Sequence, residues 1–212
     1  MALIKLNNRG VRIVSTFGSV SGGSLTFIKK LTASSSATLS FVDGTSDVVF
    51  DDTYKEYLFT FNTIHPATDN QQFAFQVDTG TNTSYNITCT STTFRAYHNE
   101  AGNDAGVGYV TGEDQAQGTA FQKLTAGGTV GNDNDQSASG YLHIFNPSSS
   151  VFTKHFISRS NASHNGDYTT DFFAAGYFNT TTALTRVQFK MLSGNIDAGD
   201  IVLMGLSSSC QA

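Results

Sequence analysis

Hydrophobic residues along this chain recur mainly at every second position. Leu25 and Phe27 fall two apart, as do Leu39 and Phe41. The same spacing holds for Tyr57, Phe59 and Phe61, and for Phe73, Phe75 and Val77. Tyr85, Ile87 and Cys89 continue it, followed by Phe94 and Ala96. In the second half it returns at Leu142 and Ile144. The run VFTKHFIS then offers two phases, Val151/His155/Ile157 and Phe152/Phe156. Val187, Phe189 and Met191, then Ile201 and Leu203, close the series. Successive side chains of a β-strand point to opposite faces, so this period places one face on a core and the other in water. We expect Phe59, Phe61, Phe73, Phe75, Phe189 and Leu203 to point inward.

Turn-forming clusters separate these runs: Ser21-Gly22-Gly23-Ser24, Asp43-Gly44-Thr45-Ser46, Asp78-Thr79-Gly80-Thr81-Asn82, Gly131-Asn132-Asp133-Asn134-Asp135 and Ser163-His164-Asn165-Gly166-Asp167. Asn, Asp and Gly tolerate the positive φ that tight turns require. The pattern predicts about twelve strands and no helix. Residues 98–118 lack clear periodicity and read as a long loop with a short strand near Val107–Val110. Parallel strands need crossover connections, usually helical, so the sheets should be antiparallel. The expected fold is all-β: an antiparallel two-sheet β-sandwich, jelly-roll-like, with a short N-terminal arm. Residues 1–12 form the arm and 13–212 a single domain in this reading.

Composition supports strands and narrows the function. Of 212 residues, 27 are Thr, 23 Ser, 15 Asn and 20 Gly, while charged residues make up only 14%. Thr suits strands; Asn, Ser and Gly suit turns. A net charge of −5 leaves no basic stripe for a phosphate backbone, which argues against nucleic-acid binding. No apolar run approaches the roughly 20 residues of a membrane-spanning helix, so no membrane insertion is expected. The first ten residues lack the apolar stretch of a secretory signal. Cys89 and Cys210 are too few for a disulfide framework or a four-ligand zinc site. Cys89 alternates in phase with buried positions and reads as a buried thiol.

Catalytic and metal chemistry find little support. The five histidines, among them His98, His143, His155 and His164, show no compact ligand spacing. No G-x-S-x-G elbow is present. Asp51, Asp52 and Glu56, and the pair Glu113 and Asp114, are carboxylates of the kind glycoside hydrolysis needs, but adjacent acids on a loop read as solvated turns. Asp133-Asn134-Asp135 has the oxygen density of a calcium loop, yet Ser137 and Ala138 break its frame. The sequons at Asn82, Asn86, Asn161 and Asn179 arise by composition in so Asn- and Thr-rich a chain. We expect no catalytic residue, no metal and no cofactor. Seventeen Phe against no Trp read as core filling between two sheets, with Tyr97, Tyr109 and Tyr177 left as possible platforms for a sugar.

The N-terminus stands apart in charge. Lys5, Arg9 and Arg12 place three of the twelve basic residues in the first dozen positions. Together with Leu3, Ile4 and Leu6 they read either as an edge strand packed on its own domain or as an arm that grips a neighbouring protein.

The C-terminal third carries a resemblance. Gly176-Tyr177-Phe178-Asn179-Thr180-Thr181-Thr182-Ala183-Leu184-Thr185-Arg186-Val187-Gln188-Phe189, followed by Ser193-Gly194-Asn195-Ile196-Asp197-Ala198-Gly199-Asp200-Ile201-Val202-Leu203-Met204-Gly205-Leu206, resembles the closing hairpin of a family of tailed-phage virion proteins common in marine phages. Met204 stands where that pattern has Tyr, and Leu206 where it has Ile. Tyr54–Phe61 running to Ile64-His65-Pro66, and Leu142-His143-Ile144-Phe145-Asn146-Pro147, also fit. The resemblance implies a non-enzymatic virion structural protein on the particle surface, assembled as a homo-oligomer, with a trimer favoured, and contacting other virion proteins. A capsid decoration (cement) subunit is the leading expectation. A tail-fibre or receptor-binding protein touching host glycan, or a carbohydrate-binding module, is the alternative. The residues themselves make the segment a hairpin, with Gly194 and Gly199 bracketing its turn.

Overall fold

In the computed structural model, which describes residues 25–125 and 130–206, the alternating runs are β-strands. The described residues hold no helix and thirteen strands. In chain order these are β1 (Leu25–Thr32), β2 (Leu39–Val42), β3 (Glu56–Pro66), β4 (Phe73–Thr79) and β5 (Cys89–Asn99). Then come β6 (Ala105–Tyr109), β7 (Ala116–Gly118), β8 (Gln122–Lys123) and β9 (Ala138–Phe145). The chain continues through β10 (Lys154–His164), β11 (Tyr168–Phe178), β12 (Leu184–Met191) and β13 (Ile196–Leu206).

Eight of the thirteen strands form a jelly-roll wrap. The first pairs with the last, β1 with β13, and the second with the second-last, β2 with β12. Inside these, β3 pairs with β9 and β4 with β8. Successive pairs fall in alternate sheets, as when one long antiparallel ribbon is rolled up. Further pairing of β13 with β3 and of β12 with β4 closes the two sheets. The other five strands are insertions. β5, β6 and β7 lie between β4 and β8, and β10 and β11 lie between β9 and β12. All five join one side, giving a nine-stranded sheet, β1-β13-β3-β9-β10-β11-β5-β6 with β7 on β5, against a four-stranded sheet, β2-β12-β4-β8.

The core lies between the sheets and is built on phenylalanine. Phe41, Phe59, Phe61, Phe73, Phe75 and Phe189 are fully buried, and so is Leu203. Phe189 sits at the centre, its ring centroid 5.4 Å from Phe59, 5.7 Å from Phe73 and 6.1 Å from Phe41. The six residues expected inward are inward.

Four expectations need correction. The C-terminal segment is not a hairpin: β12 belongs to the small sheet and β13 to the large one. Residues 192–195 carry the chain across the sandwich as an arch. They do not pair with each other but prolong the two ladders, Leu192 N–H donating to Gln72 O at 2.9 Å beyond the β12–β4 pairing and Ala67 N–H donating to Asn195 O at 3.0 Å beyond the β13–β3 pairing. Gly194 turns this arch at φ +72°, whereas Gly199 lies inside β13, at φ +118°, in a bulge. A Cβ at Gly199 would stand 2.6 Å from the carbonyl oxygen of Thr63, itself in the facing bulge of β3. Second, Leu25 and Phe27 are about half exposed, at 50% and 55%. A bulge between Phe27 and Lys29 resets the phase of β1, so Ile28 and Leu31 meet the core instead. Third, Phe94 and Ala96 mark the outward face of β5, with Thr93 buried opposite. Fourth, residues 98–118 contain two strands, β6 and β7, rather than one.

Candidate functional site

The inserted strands change character along their length on the face turned towards the small sheet. The pairing aligns Lys154, Phe156, Ser158, Ser160, Ala162 and His164 of β10 with Phe178, Gly176, Ala174, Phe172, Thr170 and Tyr168 of β11. These in turn oppose Cys89, Ser91, Thr93, Arg95, Tyr97 and Asn99 of β5. At the base, Phe156 and Phe178 pack their rings 5.2 and 5.7 Å from Phe75 of the core. In the middle, hydroxyls meet the chain between β6 and β9. Ser91 Oγ donates to Gln122 Oε1 at 2.6 Å, Thr93 Oγ1 donates to Val110 O at 3.0 Å, and Ser160 Oγ donates to Leu124 O. At the tip this cover ends and a recess of about 180 Å³ opens, lined by Arg95, Tyr97, Asp104, His164, Tyr168 and Thr170.

Local packing builds the recess. The Arg95 guanidinium lies 4.8 Å from the centre of the Tyr97 ring, a cation–π stack. Tyr97 in turn lies across Gly106 of β6, where an added Cβ would come within 2.9 Å of the ring and its hydroxyl. Tyr97 and Tyr168 stand with centroids 6.0 Å apart and planes at 57°. The Tyr168 hydroxyl donates to Asp104 Oδ2 at 2.8 Å, and this bond pushes the phenol's pKa up. Gly166 N–H donates to His164 Nδ1 at 2.8 Å, so a neutral ring carries its proton on Nε2. Burial, then the charge of Arg95, hold that imidazole below its usual range against the pull of Asp69. Arg95 is half-buried, and its guanidinium makes neither a hydrogen bond nor an ion pair among the described residues.

The opposite face of the same strands is aromatic. One row across the sheet reads Tyr141, Arg159, Phe173, Phe94 and Tyr109. Strands lie about 4.8 Å apart, so the row spans roughly 19 Å. Phe94 and Phe173 stack at 4.5 Å and 8°, and Arg159 lies 4.8 Å from the Phe173 centroid while bonding Asp171 at 2.7 and 3.0 Å. Val107 and Ile157 extend the row above and below. Tyr141, Phe94, Tyr109, Val107 and Ile157 are all exposed.

The residues singled out by sequence scatter. Leu3, Ile4, Lys5, Leu6, Arg9 and Arg12 lie outside the described residues, as does Cys210. Tyr97 enters the recess, Tyr109 lies on the outer row bonded to Asp114, and Tyr177 stands beside His155. Asp52 is held by Lys55 and Ser148, which lower its pKa, and Glu56 by His143 at 3.0 Å. Glu113 pairs with Lys123. Asp133 closes its own turn, its carbonyl accepting from Gln136 N–H at 2.9 Å. Among the described residues no group of three or more His, Cys, Asp and Glu side chains is placed to hold a metal. Burial pushes the Cys89 thiol up to about 12, well away from thiolate chemistry. Arg95, Asp104, Tyr168 and Thr170 were not singled out by sequence. Their only signal is the two-residue spacing of Arg95 with Tyr97 and of Tyr168 with Thr170.

No protein-family model, no curated protein and no solved structure matches the chain.

Proposed function

We propose that the chain is a non-enzymatic structural protein of a tailed-phage virion, displayed on the particle surface as a symmetric oligomer. The observation that carries this reading is the jelly-roll wrap with one sheet widened by five strands. Jelly rolls recur in viral shells and in lectins, and insertions at one sheet enlarge a surface without disturbing the wrap. The exposed aromatic row on the outer face supports self-association, because apolar surface of this kind is concentrated at interfaces. The sequence resemblance of the C-terminal third points the same way.

Between the two placements, the recess favours a receptor-contacting subunit over a decoration subunit. A cement protein needs a broad docking face; a half-buried guanidinium beside two tyrosine rings is built for a small ligand. Antibody raised against the recombinant protein, applied to intact virions and viewed by electron microscopy, tests the reading. Label on tail tips supports receptor contact, and label over the head supports decoration. Particles without label overturn the virion assignment.

A further inference from the structure

We infer that the recess at the tip of the inserted strands binds one carboxylate-bearing sugar unit, a uronic or sialic acid, with the Arg95 guanidinium taking the carboxylate. The inference rests on the receptor-contacting reading above and names its ligand class.

The argument begins with Arg95. A guanidinium is always charged and presents a planar fork that matches a carboxylate with two parallel hydrogen bonds. Four of the nine arginines and lysines among the described residues have a carboxylate: Lys30 has Asp200, Lys55 has Asp52, Lys123 has Glu113 and Arg159 has Asp171. Arg95 has none among those residues, although Asp104 lines the same recess. That carboxylate is engaged by the Tyr168 hydroxyl. A partly buried guanidinium whose donors meet no acceptor of the fold leaves them to water or to a ligand from outside it.

The walls then select a sugar. Tyr97, already stacked by Arg95 and laid across Gly106, and Tyr168, inclined to it at 57°, line the recess with aromatic carbon and a phenol tip, suited to the C–H groups and hydroxyls of a pyranose. Around them stand the Asp104 carboxylate and the Thr170 hydroxyl, with His164 beside Tyr168 at 5.6 Å between ring centres. These are the acceptors and donors that a ring of hydroxyl groups requires. A volume of about 180 Å³ equals roughly six waters, room for one ring. A phosphate would call for more than a single cation, and the acidic lining at Asp104 disfavours a doubly charged group. Gly106 shows that the recess is constructed: the Tyr97 ring can lie across β6 only because no side chain stands there.

Binding of one ring by one site is weak, and oligomer symmetry would multiply it. The test therefore uses the full chain immobilised on a sensor. Three probes are flowed over it: oligogalacturonate, its methyl ester, and sialyllactose, with lactose as neutral control. The expected result is binding of at least one acidic probe, weakened about tenfold or more when the carboxylate is esterified or absent. Arg95→Gln should cause a similar loss with an unchanged circular dichroism spectrum. Oligogalacturonate and sialyllactose distinguish a uronate-type from a sialate-type source. Equal binding of ester and acid overturns the inference, as does failure of both acidic probes to bind. The esterified probe keeps the test decisive even if the Arg95 variant misfolds. Labelled virions with no acid-dependent binding would refute the ligand and leave the virion reading intact. Acid-dependent binding by a protein absent from particles would do the reverse.

Discussion

The eight-strand wrap and the five inserted strands use the same alternation for opposite ends. In the wrap, inward positions hold Phe41, Phe59, Phe61, Phe73, Phe75 and Phe189, and both sheets close over them. In the insertions, inward positions pass from Phe156 and Phe178 through Ser158, Ser160 and Thr93 to Arg95, Tyr97 and Tyr168, while the outward ones hold Phe94, Phe173 and Ile157. The small sheet has four strands to the large sheet's nine. Beyond it the chain between β6 and β9 is the cover, its carbonyls taking the buried hydroxyls of Thr93 and Ser160, and where that chain ends Arg95, Tyr97 and Tyr168 are partly exposed. The contrast separates a region whose inner face specifies the fold from one whose surfaces are free to bind.

The largest effect should come from breaking the wrap. Phe189 touches the rings of Phe41, Phe59, Phe73 and Phe75, so Phe189→Ala should cost about 3–5 kcal/mol in denaturant unfolding. Phe94→Ala removes a stacked but 45% exposed ring and should cost about 1 kcal/mol. Comparable losses at the two positions would erase the distinction between the regions.

The next effect tests how the insertion is fastened to the wrap. Gln76 of β4 is fully buried, and its Nε2 donates to Ile87 O at 3.1 Å, Thr119 O at 3.3 Å and Ala120 O at 3.0 Å. These carbonyls flank the start of β5 and the end of β7, so one amide clamps both ends of the inserted segment. Gln76→Leu leaves them without that donor and should cost about 2–3 kcal/mol. Hydrogen exchange should accelerate around residues 87–90 and 117–122 and stay slow in β12 and β13. Uniform acceleration would mean that the two regions unfold as one.

Much of this contrast was legible in the sequence, and its limits are physical. Alternation located the strands and the inward phenylalanines, because the period of two survives whatever a strand pairs with. Partner choice did not show. The four residues between β12 and β13 fit a hairpin as well as an arch, and only their bonds to Gln72 and Ala67 decide. Phase was ambiguous at the insertions, where Phe94 and Ile157 alternate on the exposed face. The recess escaped because Arg95 and Tyr168 lie more than seventy residues apart in sequence and meet through the β5–β11 pairing. Tyr97 drew notice as a tyrosine; nothing in the chain placed Asp104 beside it.

A smaller effect concerns Lys154 at the base of the insertions. It is fully buried, its ammonium donating to Phe152 O at 2.7 Å and Thr180 O at 3.4 Å. Burial lowers its pKa below the unfolded value of about 10.4. In the window between the two values the unfolded chain holds more protons, so stability rises with pH and is complete only above the unfolded pKa. Lys154→Met removes the charge along with a donor to two carbonyls. Its stability at neutral pH should lie within about 1 kcal/mol of the native chain. The native chain should gain on it as pH approaches 10. A parallel pH dependence of the two would show that the buried lysine keeps an ordinary affinity for its proton.

The smallest effect lies at the tip, where His164 reports on the recess. It is faced by Arg95 from β5, Asp69 from the segment before β4, and Tyr168 of β11, which itself bonds Asp104. Burial and Arg95 outweigh Asp69, so the folded pKa lies below the unfolded value of about 6.5. The folded state then binds fewer protons through that window, and acidification from pH 6.5 costs stability until the folded pKa is passed. Two other histidines stand against carboxylates, His143 with Glu56 and His65 with Asp197. The informative quantity is therefore the difference between the native chain and His164→Asn. That difference should favour the variant progressively as pH falls from 6.5 to 5. A carboxylate seated on Arg95 would neutralise the neighbouring charge and shrink the difference, so saturating oligogalacturonate should flatten it. A slope indifferent to the acidic sugar would place the bound carboxylate away from Arg95, even where binding itself is observed.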